Sequence, residues 1–273
     1  YSSDDQALKR MISSSSLRDL TINLDERRSL LNVADRAMPN NTFIIQQQAI
    51  LEMNSRDGDL DKAEELLDLA FDLSPHDISL MHTKATLLAR RADSADDPLR
   101  AKTLRAKSRE ILKSLRGQGR DGSYVQTSLA KLAVKDIEQI VKSNEDLSTP
   151  IVKRDLLRLV EEAEREFNQA ENSTIHGPTV TTERARLRRI LKEHKKSIVI
   201  IEEALKDNPD SRRLAVAYND AVKDDDLLLG RAAIKTALIS HPNDKRLNQA
   251  LFYSLIAEND NFSDEMSSSL HKG

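Results

Sequence analysis

The chain has 273 residues and a formal net charge of −3; 38% of it is hydrophobic and 32% charged, but only 3% aromatic, with no tryptophan and no cysteine. That composition excludes disulfides, thiolate catalysis and cysteine-bound zinc, and it offers nucleic acid no global attraction. Its core must be built from Leu, Ile, Val and Ala, and its seven glycines and seven prolines are too few to punctuate a sandwich or barrel, so an all-α fold is expected. No apolar run approaches the roughly 20 residues of a membrane span, and YSSDDQALKR at the start has no signal-peptide pattern. The expectation is a soluble, cytoplasmic protein, and the tyrosine at position 1 suggests an excerpt of a larger one.

After a serine-rich boundary near residue 13, the first apolar rhythm ends in a pattern that the chain writes four times: an alanine, four residues, then a proline. The copies are Ala34 to Pro39, Ala70 to Pro75, Ala204 to Pro209 and Ala237 to Pro242. Three residues before each alanine stands an aliphatic side chain (Leu31, Leu67, Ile201, Ile234), and five after each proline stands another (Ile44, Leu80, Leu214, Leu247). Seven before the alanine come the small residues Ala63, Ser197 and Gly230, with Arg27 the exception. Positions three and seven apart share a helical face, so small residues allow two helices to approach and the aliphatic one fills the space beside them. Proline ends the helix, and Asn40, Asp77, Asp210 or Ser211, and Asp244 lie within two positions of it to cap the next. Each copy reads as helix, sharp turn, helix.

The intervals between prolines are 36, 134 and 33 residues. On this period of about 34, the chain resembles the tetratricopeptide repeat (TPR) family, best over residues 25–91 and 197–257. Ala49, Ala63, Ala70 and Pro75 meet the family pattern in the copy where it is clearest, while most of the helix A aromatics are absent and Lys84 and Asn219 stand at small or apolar positions. The resemblance implies a TPR-like α-solenoid of antiparallel helical hairpins, about 11 to 13 helices in a single array over 1–273. Residues 92–196 are its irregular middle and 258–273 a polar tail.

Between the repeats, HDISLMHTKATLLARR predicts a helix and ADSADDP a connector. Residues 99–116 follow, with Leu104, Ser108, Ile111, Leu112 and Leu115 on one face opposite Lys102, Arg105, Arg109, Lys113 and Arg116. Helices are expected over 123–142 and 151–171, then a loop at ENSTIHGPTVTT. From Leu187 an unbroken stripe through Ile190, Leu191, His194, Ile198, Ile201 and Leu205 predicts one long helix over 183–207.

Candidate chemistry is sparse. GQGRDG, with Gly117, Gly119 and Gly122, matches a phosphate-loop pattern but follows a basic helix where a strand is required, and reads as a flexible loop. DGDLD, with Asp57, Asp59 and Asp61, begins like a calcium loop but has Lys62 and Asp68 where that loop needs glycine and glutamate; Asp59 reads as a helix cap. No histidine pair has ligand spacing, and His194 on the apolar stripe reads as packed or at an interface. Neither catalysis, cofactor nor metal has positive support.

Two basic stretches remain: 100–116, with seven Lys or Arg against one Glu, and Arg184 to Lys196, which includes Arg188, Arg189, Lys192 and Lys196. Both read as solvated faces or as sites for an acidic protein, ahead of nucleic acid, because aromatic stacking partners are scarce. The acidic helix over 59–72 is a matching surface, within the array or between chains. The family resemblance implies a non-catalytic protein-interaction scaffold, binding a protein or peptide on Gln46, Ile50, Met53, His82, Thr86, Arg90, Val216, Asp220, Lys223, Gln249 and Tyr253. The family's Lys and Asn carboxylate clamp is missing from those slots. A regulatory arm of a larger enzyme or effector, and a nucleic-acid-binding repeat, stay open as alternatives.

Overall fold

The structure is a computed structural model that describes residues 24–55, 58–117, 122–143, 149–171, 177–223 and 226–270, with side chains described as far as 257. Asp57, Gly119 and the serines near residue 13 therefore lie outside the described residues. Among the described residues there are twelve helices and no strand: α1 Leu24–Ala37, α2 Thr42–Asn54, α3 Leu60–Leu73, α4 Ile78–Asp93, α5 Pro98–Gly117, α6 Ser123–Lys142, α7 Pro150–Glu171, α8 Gly177–Ile190, α9 His194–Asp207, α10 Arg212–Val222, α11 Leu227–Ser240 and α12 Lys245–Leu270. The expected all-α hairpin fold is what forms. None of these helices is long and apolar enough to cross a membrane. The chain divides into two compact units, Tyr1–Leu132 and Ala133–Gly273, so the division falls inside α6.

The four repeat exits share one hydrogen-bond scheme. The amide just before each proline donates to the carbonyl of the repeated alanine: Met38 to Ala34 at 2.9 Å, Ser74 to Ala70 at 2.9 Å, Asn208 to Ala204 at 3.1 Å and His241 to Ala237 at 3.0 Å. The chain then turns through the proline, and the second residue beyond it donates back to the residue before it, as Asn41 does to Met38 at 3.3 Å and Asp244 to His241 at 3.1 Å. That same second residue caps the next helix. Asn41 Oδ1 accepts from the Phe43 and Ile44 amides, Asp77 Oδ1 from Ser79 and Leu80, Ser211 Oγ from Leu214, and Asp244 Oδ1 from Arg246 and Leu247. One of the expected caps is thereby corrected by one position, Asn41 serving in place of Asn40, and of the two candidates after Pro209 it is Ser211 that serves. Asn40 has φ 61°, the left-handed conformation that the third residue of a proline turn can require and that asparagine tolerates.

The aliphatic positions of the repeat are the centre of each hairpin. Leu31, Leu67, Ile201, Ile234, Ile44, Leu80, Leu214 and Leu247 are all at most 2% exposed. In the first unit α2 packs on α3 and α4 lies against both, around Ile45, Ala49, Met53, Ala63, Leu67, Ala70, Leu80 and Leu87. In the second unit α10 packs on α11 with α12 against both, around Ala215, Ile234, Ala237 and Leu247. Fully burying each such aliphatic side chain contributes about 1.5–3 kcal/mol, which is why the pattern survives without aromatics. Gly230 allows a close approach of α11 to α10: a Cβ there would stand 2.9 Å from Asn219 Cα and 2.8 Å from Asn219 Oδ1.

Three expectations about the middle are corrected. Residues 183–207 are two helices, because the chain reverses at Leu191–Glu193 and lays α9 back on α8. The Glu193 amide donates to Arg188 O at 2.8 Å and the Lys192 amide to Arg189 O at 3.0 Å, while Lys192 sits at φ 61°. This is a Schellman stop with lysine where glycine is usual. His194 consequently opens α9 and is exposed instead of packed. The loop at ENSTIHGPTVTT is shorter than expected, since α8 already begins at Gly177, with Pro178 in its first turn where a missing amide costs nothing, and Val180 fully buried. In the polar tail the backbone of α12 stays helical to Leu270.

Candidate interaction surface

The face expected to receive a partner is differently occupied in the two units. In the first, Gln46 is 5% exposed, and its Nε2 donates to Ser79 Oγ and Thr83 Oγ1, both at 2.7 Å, so it ties α2 to α4 from inside their seam. Met53 is core, and Ile50 packs against that core. His82 meets α6, with Nε2 3.3 Å from Ser128 Oγ and its ring edge-on to Tyr124 at 6.0 Å. Burial pulls the His82 imidazole below its ordinary value, a hydrogen bond with the Tyr124 backbone offsetting part of that. Thr86 donates back to the His82 carbonyl at 3.0 Å, and Arg90 to Asn54 Oδ1 at 2.8 Å. Gln46 and Met53 are thus corrected from the partner face to packing, because the first helices of successive hairpins touch each other where the open face was expected.

In the second unit the face is open. Val216 is half-buried against the core, while Asp220, Lys223, Gln249 and Tyr253 are exposed. Beside Tyr253 stand residues that the repeat pattern does not flag. Phe252 and Tyr253 are each 59% exposed, with ring centroids 5.9 Å apart, and Leu255 and Ile256 are 42% and 40% exposed. The signal for them is in ALFYSLIA itself: a segment apolar on all sides has more apolar surface than one neighbouring helix can cover. On α11, Leu228, Leu229 and Ile239 are also exposed.

The charged helices are largely committed within their own units. The acidic face of α3 meets α4: Lys84 Nζ lies 2.9 Å from Asp68 and 3.2 Å from Glu64, and Arg91 Nη2 2.8 Å from Glu64. Burial works against the Lys84 ammonium, but Asp68 and Glu64 outweigh it and hold its pKa above the ordinary value. That answers why lysine stands at an apolar repeat position. On α5 the buried face is Ala101, Arg105, Ser108, Leu112 and Leu115, alternating four and three apart, and Ser108 Oγ donates to the Ala85 carbonyl of α4 at 2.7 Å. Arg105, expected in the basic patch, is corrected to the interior at 5% exposure; its long aliphatic stem fits a helix seam. Arg109 and Arg116 are half-buried, and Lys102 and Lys113 remain exposed.

The second basic stretch pairs with α7 and α6. Arg188 Nη2 lies 2.6 Å from Glu164 and its Nη1 3.0 Å from Glu193, while Lys196 reaches Glu193 at 2.6 Å. Arg184 Nε lies 3.2 Å from Glu164, its guanidinium 5.5 Å over the Phe167 ring, and Arg186 pairs with Glu138. Burial raises Glu138, but Lys142 and Arg186 together bring its pKa below the ordinary carboxylate value. Arg189 and Lys192 stay exposed. Such pairing removes much of the field a nucleic-acid backbone would feel. Asp59, from the calcium-like segment, caps α3 by accepting from the Asp61 and Lys62 amides. Among the described residues no group of three or more His, Asp or Glu side chains is placed to hold a metal.

No family model and no curated protein matches the chain. Among solved structures it is similar to a tetratricopeptide repeat protein from Parabacteroides merdae, with 15% identity, 92% of this chain and 98% of that one covered, and a TM-score of 0.38. It is also similar to the TPR domain of P58(IPK), with 12% identity over 94% of this chain and 68% of that one, and a TM-score of 0.32. Both neighbours are TPR proteins, and the fold described above rests on the chain's own helix pairing.

Proposed function

We propose that the chain is a non-catalytic interaction scaffold of the cytoplasm that binds a partner protein or peptide, with the helical hairpins forming one array and the last of them carrying the contact face. What supports the reading is the exposed apolar side of α12: Phe252, Tyr253, Leu255 and Ile256 stand out of the core together, on a helix whose other side, at Leu247, is fully buried. Exposed aromatic and aliphatic groups clustered on one element mark protein contact sites, and a stack of hairpins needs a polar outer face wherever it meets only water. Asp220, Lys223 and Gln249 supply polar groups on the same unit. A regulatory arm of a larger protein would use the same face.

The test is a pull-down from the native host with the full chain as bait. A partner captured by the wild type is expected to be lost when Phe252 and Ile256 are both changed to Asp, and to be retained when Lys102 and Lys113 are changed to Ala. A partner retained by the Asp variant, with its circular dichroism unchanged, would remove α12 from the contact face. Loss in the alanine variant alone would shift the function to the basic helix.

A further inference from the structure

The two proline turns of the second unit, at Pro209 and Pro242, lie side by side and enclose an open cleft of about 550 Å³, lined by the starts of α10 and α12. That volume falls within the roughly 300–1,000 Å³ of sites that hold a bounded ligand. Its charge is lopsided. Arg212, Arg213, Lys245 and Arg246 face it, against Asp210 and Asp244. Asp244 is already engaged: Arg212 Nη1 lies 3.1 Å from its Oδ2, while its Oδ1 caps α12. Arg213, Lys245 and Arg246 are exposed. In a unit where Arg184, Arg186, Arg188 and Lys196 each have a carboxylate within 4.0 Å, these three form no ion pair among the described residues.

We propose that this cleft docks an acidic segment of a partner protein, a short stretch with two or more Asp or Glu side chains. Ser211 Oγ accepts from the Leu214 amide of α10 and Asp244 Oδ1 from the Arg246 and Leu247 amides of α12, so the attraction is assigned to the three exposed cations. Separate carboxylates fit between them, and Val216 at the cleft wall gives the segment's backbone or an apolar side chain a surface to lie on. A nucleic-acid strand fits less well: no Phe, Tyr or Trp lines the cleft, which leaves His241 as its single ring for stacking a base, and Asp210 and Asp244 interrupt the path of a continuous phosphate chain. The docking deepens the scaffold reading and rests on it, while using residues apart from the exposed face of α12.

The experiment is fluorescence anisotropy on the full chain with a short fluorescein-labelled Glu-rich peptide, and with single-stranded DNA of similar length as the comparison probe. The peptide is expected to bind, to weaken as salt rises, and to lose about tenfold or more in affinity when Arg213, Lys245 and Arg246 are all changed to Ala. An equal number of alanines at Lys153, Arg154 and Arg165, exposed cations elsewhere on the same unit, should leave binding within about twofold. Equal loss in both triple variants would mean diffuse charge attraction and overturn the site, as would unchanged binding in the first. DNA binding tighter than the peptide and lost in the first variant would overturn the choice of partner. The Phe252 and Ile256 variant separates the two readings: if partner capture fails there while peptide binding persists, the cleft stands independently of the apolar face.

Discussion

Replacing Gly230 by alanine sets two effects of opposite sign against each other. Alanine in a helix interior is favoured over glycine by about 1 kcal/mol, so on α11 taken alone the substitution stabilises. The added methyl, however, would stand 2.9 Å from Asn219 Cα, 2.8 Å from Asn219 Oδ1 and 3.1 Å from Val222 Cγ2. The first of these is backbone, so α10 and α11 must separate. Overpacking of this kind costs about 1–3 kcal/mol, and where backbone must move the upper end applies, leaving a net loss of about 2 kcal/mol. Urea denaturation followed by circular dichroism reads it, with Gly117→Ala as the control, since nothing lies within 4 Å of a Cβ at that helix end. The control should hold or gain up to about 1 kcal/mol. Adding Asn219→Ala should restore little, because the methyl still presses on the backbone of α10. A Gly230→Ala protein as stable as the wild type would refute the close approach.

Lys192→Gly should raise stability by roughly 0.5–1 kcal/mol in the same assay, by relieving a left-handed lysine, whereas Lys192→Val should lower it; the reverse order would deny the turn between α8 and α9. Gln46→Ala removes two 2.7 Å hydrogen bonds from the seam of α2 and α4 and should cost about 1–3 kcal/mol; a neutral result would return Gln46 to the surface. The pH dependence follows from the lowered pKa of His82. Folding disfavours its protonated form, so its contribution is intact above 6.5, its ordinary value, and is lost as pH falls through the lower folded value. Glu138 and Asp244, also lowered, lose theirs only as pH falls below their ordinary 4.5 and 3.8. Between 6.5 and 4.5 the urea midpoint of the wild type should fall, and His82→Gln should flatten that slope; an identical slope in the variant would exclude His82 as its source.

The hairpins were legible because their signals are local. An aliphatic residue three before an alanine and another five after a proline must sit on one face whatever the helix packs against, and all eight such residues are buried. The break at Lys192 was hidden for the opposite reason. A lysine can occupy the left-handed position without announcing it as glycine or asparagine would, and because α8 and α9 both contribute to the core, Leu187, Ile198 and Ile201 keep a spacing that reads as one helix. Arg105 is hidden by its charge, which is an ordinary sign of exposure; the four-and-three alternation from Leu115 back through Leu112 and Ser108 reaches Arg105 and Ala101, and it identifies the seam. Which residues of the expected face stay exposed was legible only in part. Spacing selects the first helix of each hairpin, but it cannot tell that Gln46 would be covered by α4 while Tyr253 would stay open, since that depends on which helix comes to lie alongside.

The shared scheme of the four proline turns has an evolutionary consequence. Each turn closes its own hydrogen bonds through an alanine carbonyl and a cap two residues past the proline, so the polar groups at a hairpin's two ends are satisfied locally. Residues 40–75 and 210–242 therefore begin and end on interchangeable chemistry, 36 and 33 residues long. A gene that duplicated or deleted such a segment would join one turn to its equivalent with no buried amide stranded. The chain can lengthen or shorten by whole hairpins, changing how many helices it presents without redesigning a single joint.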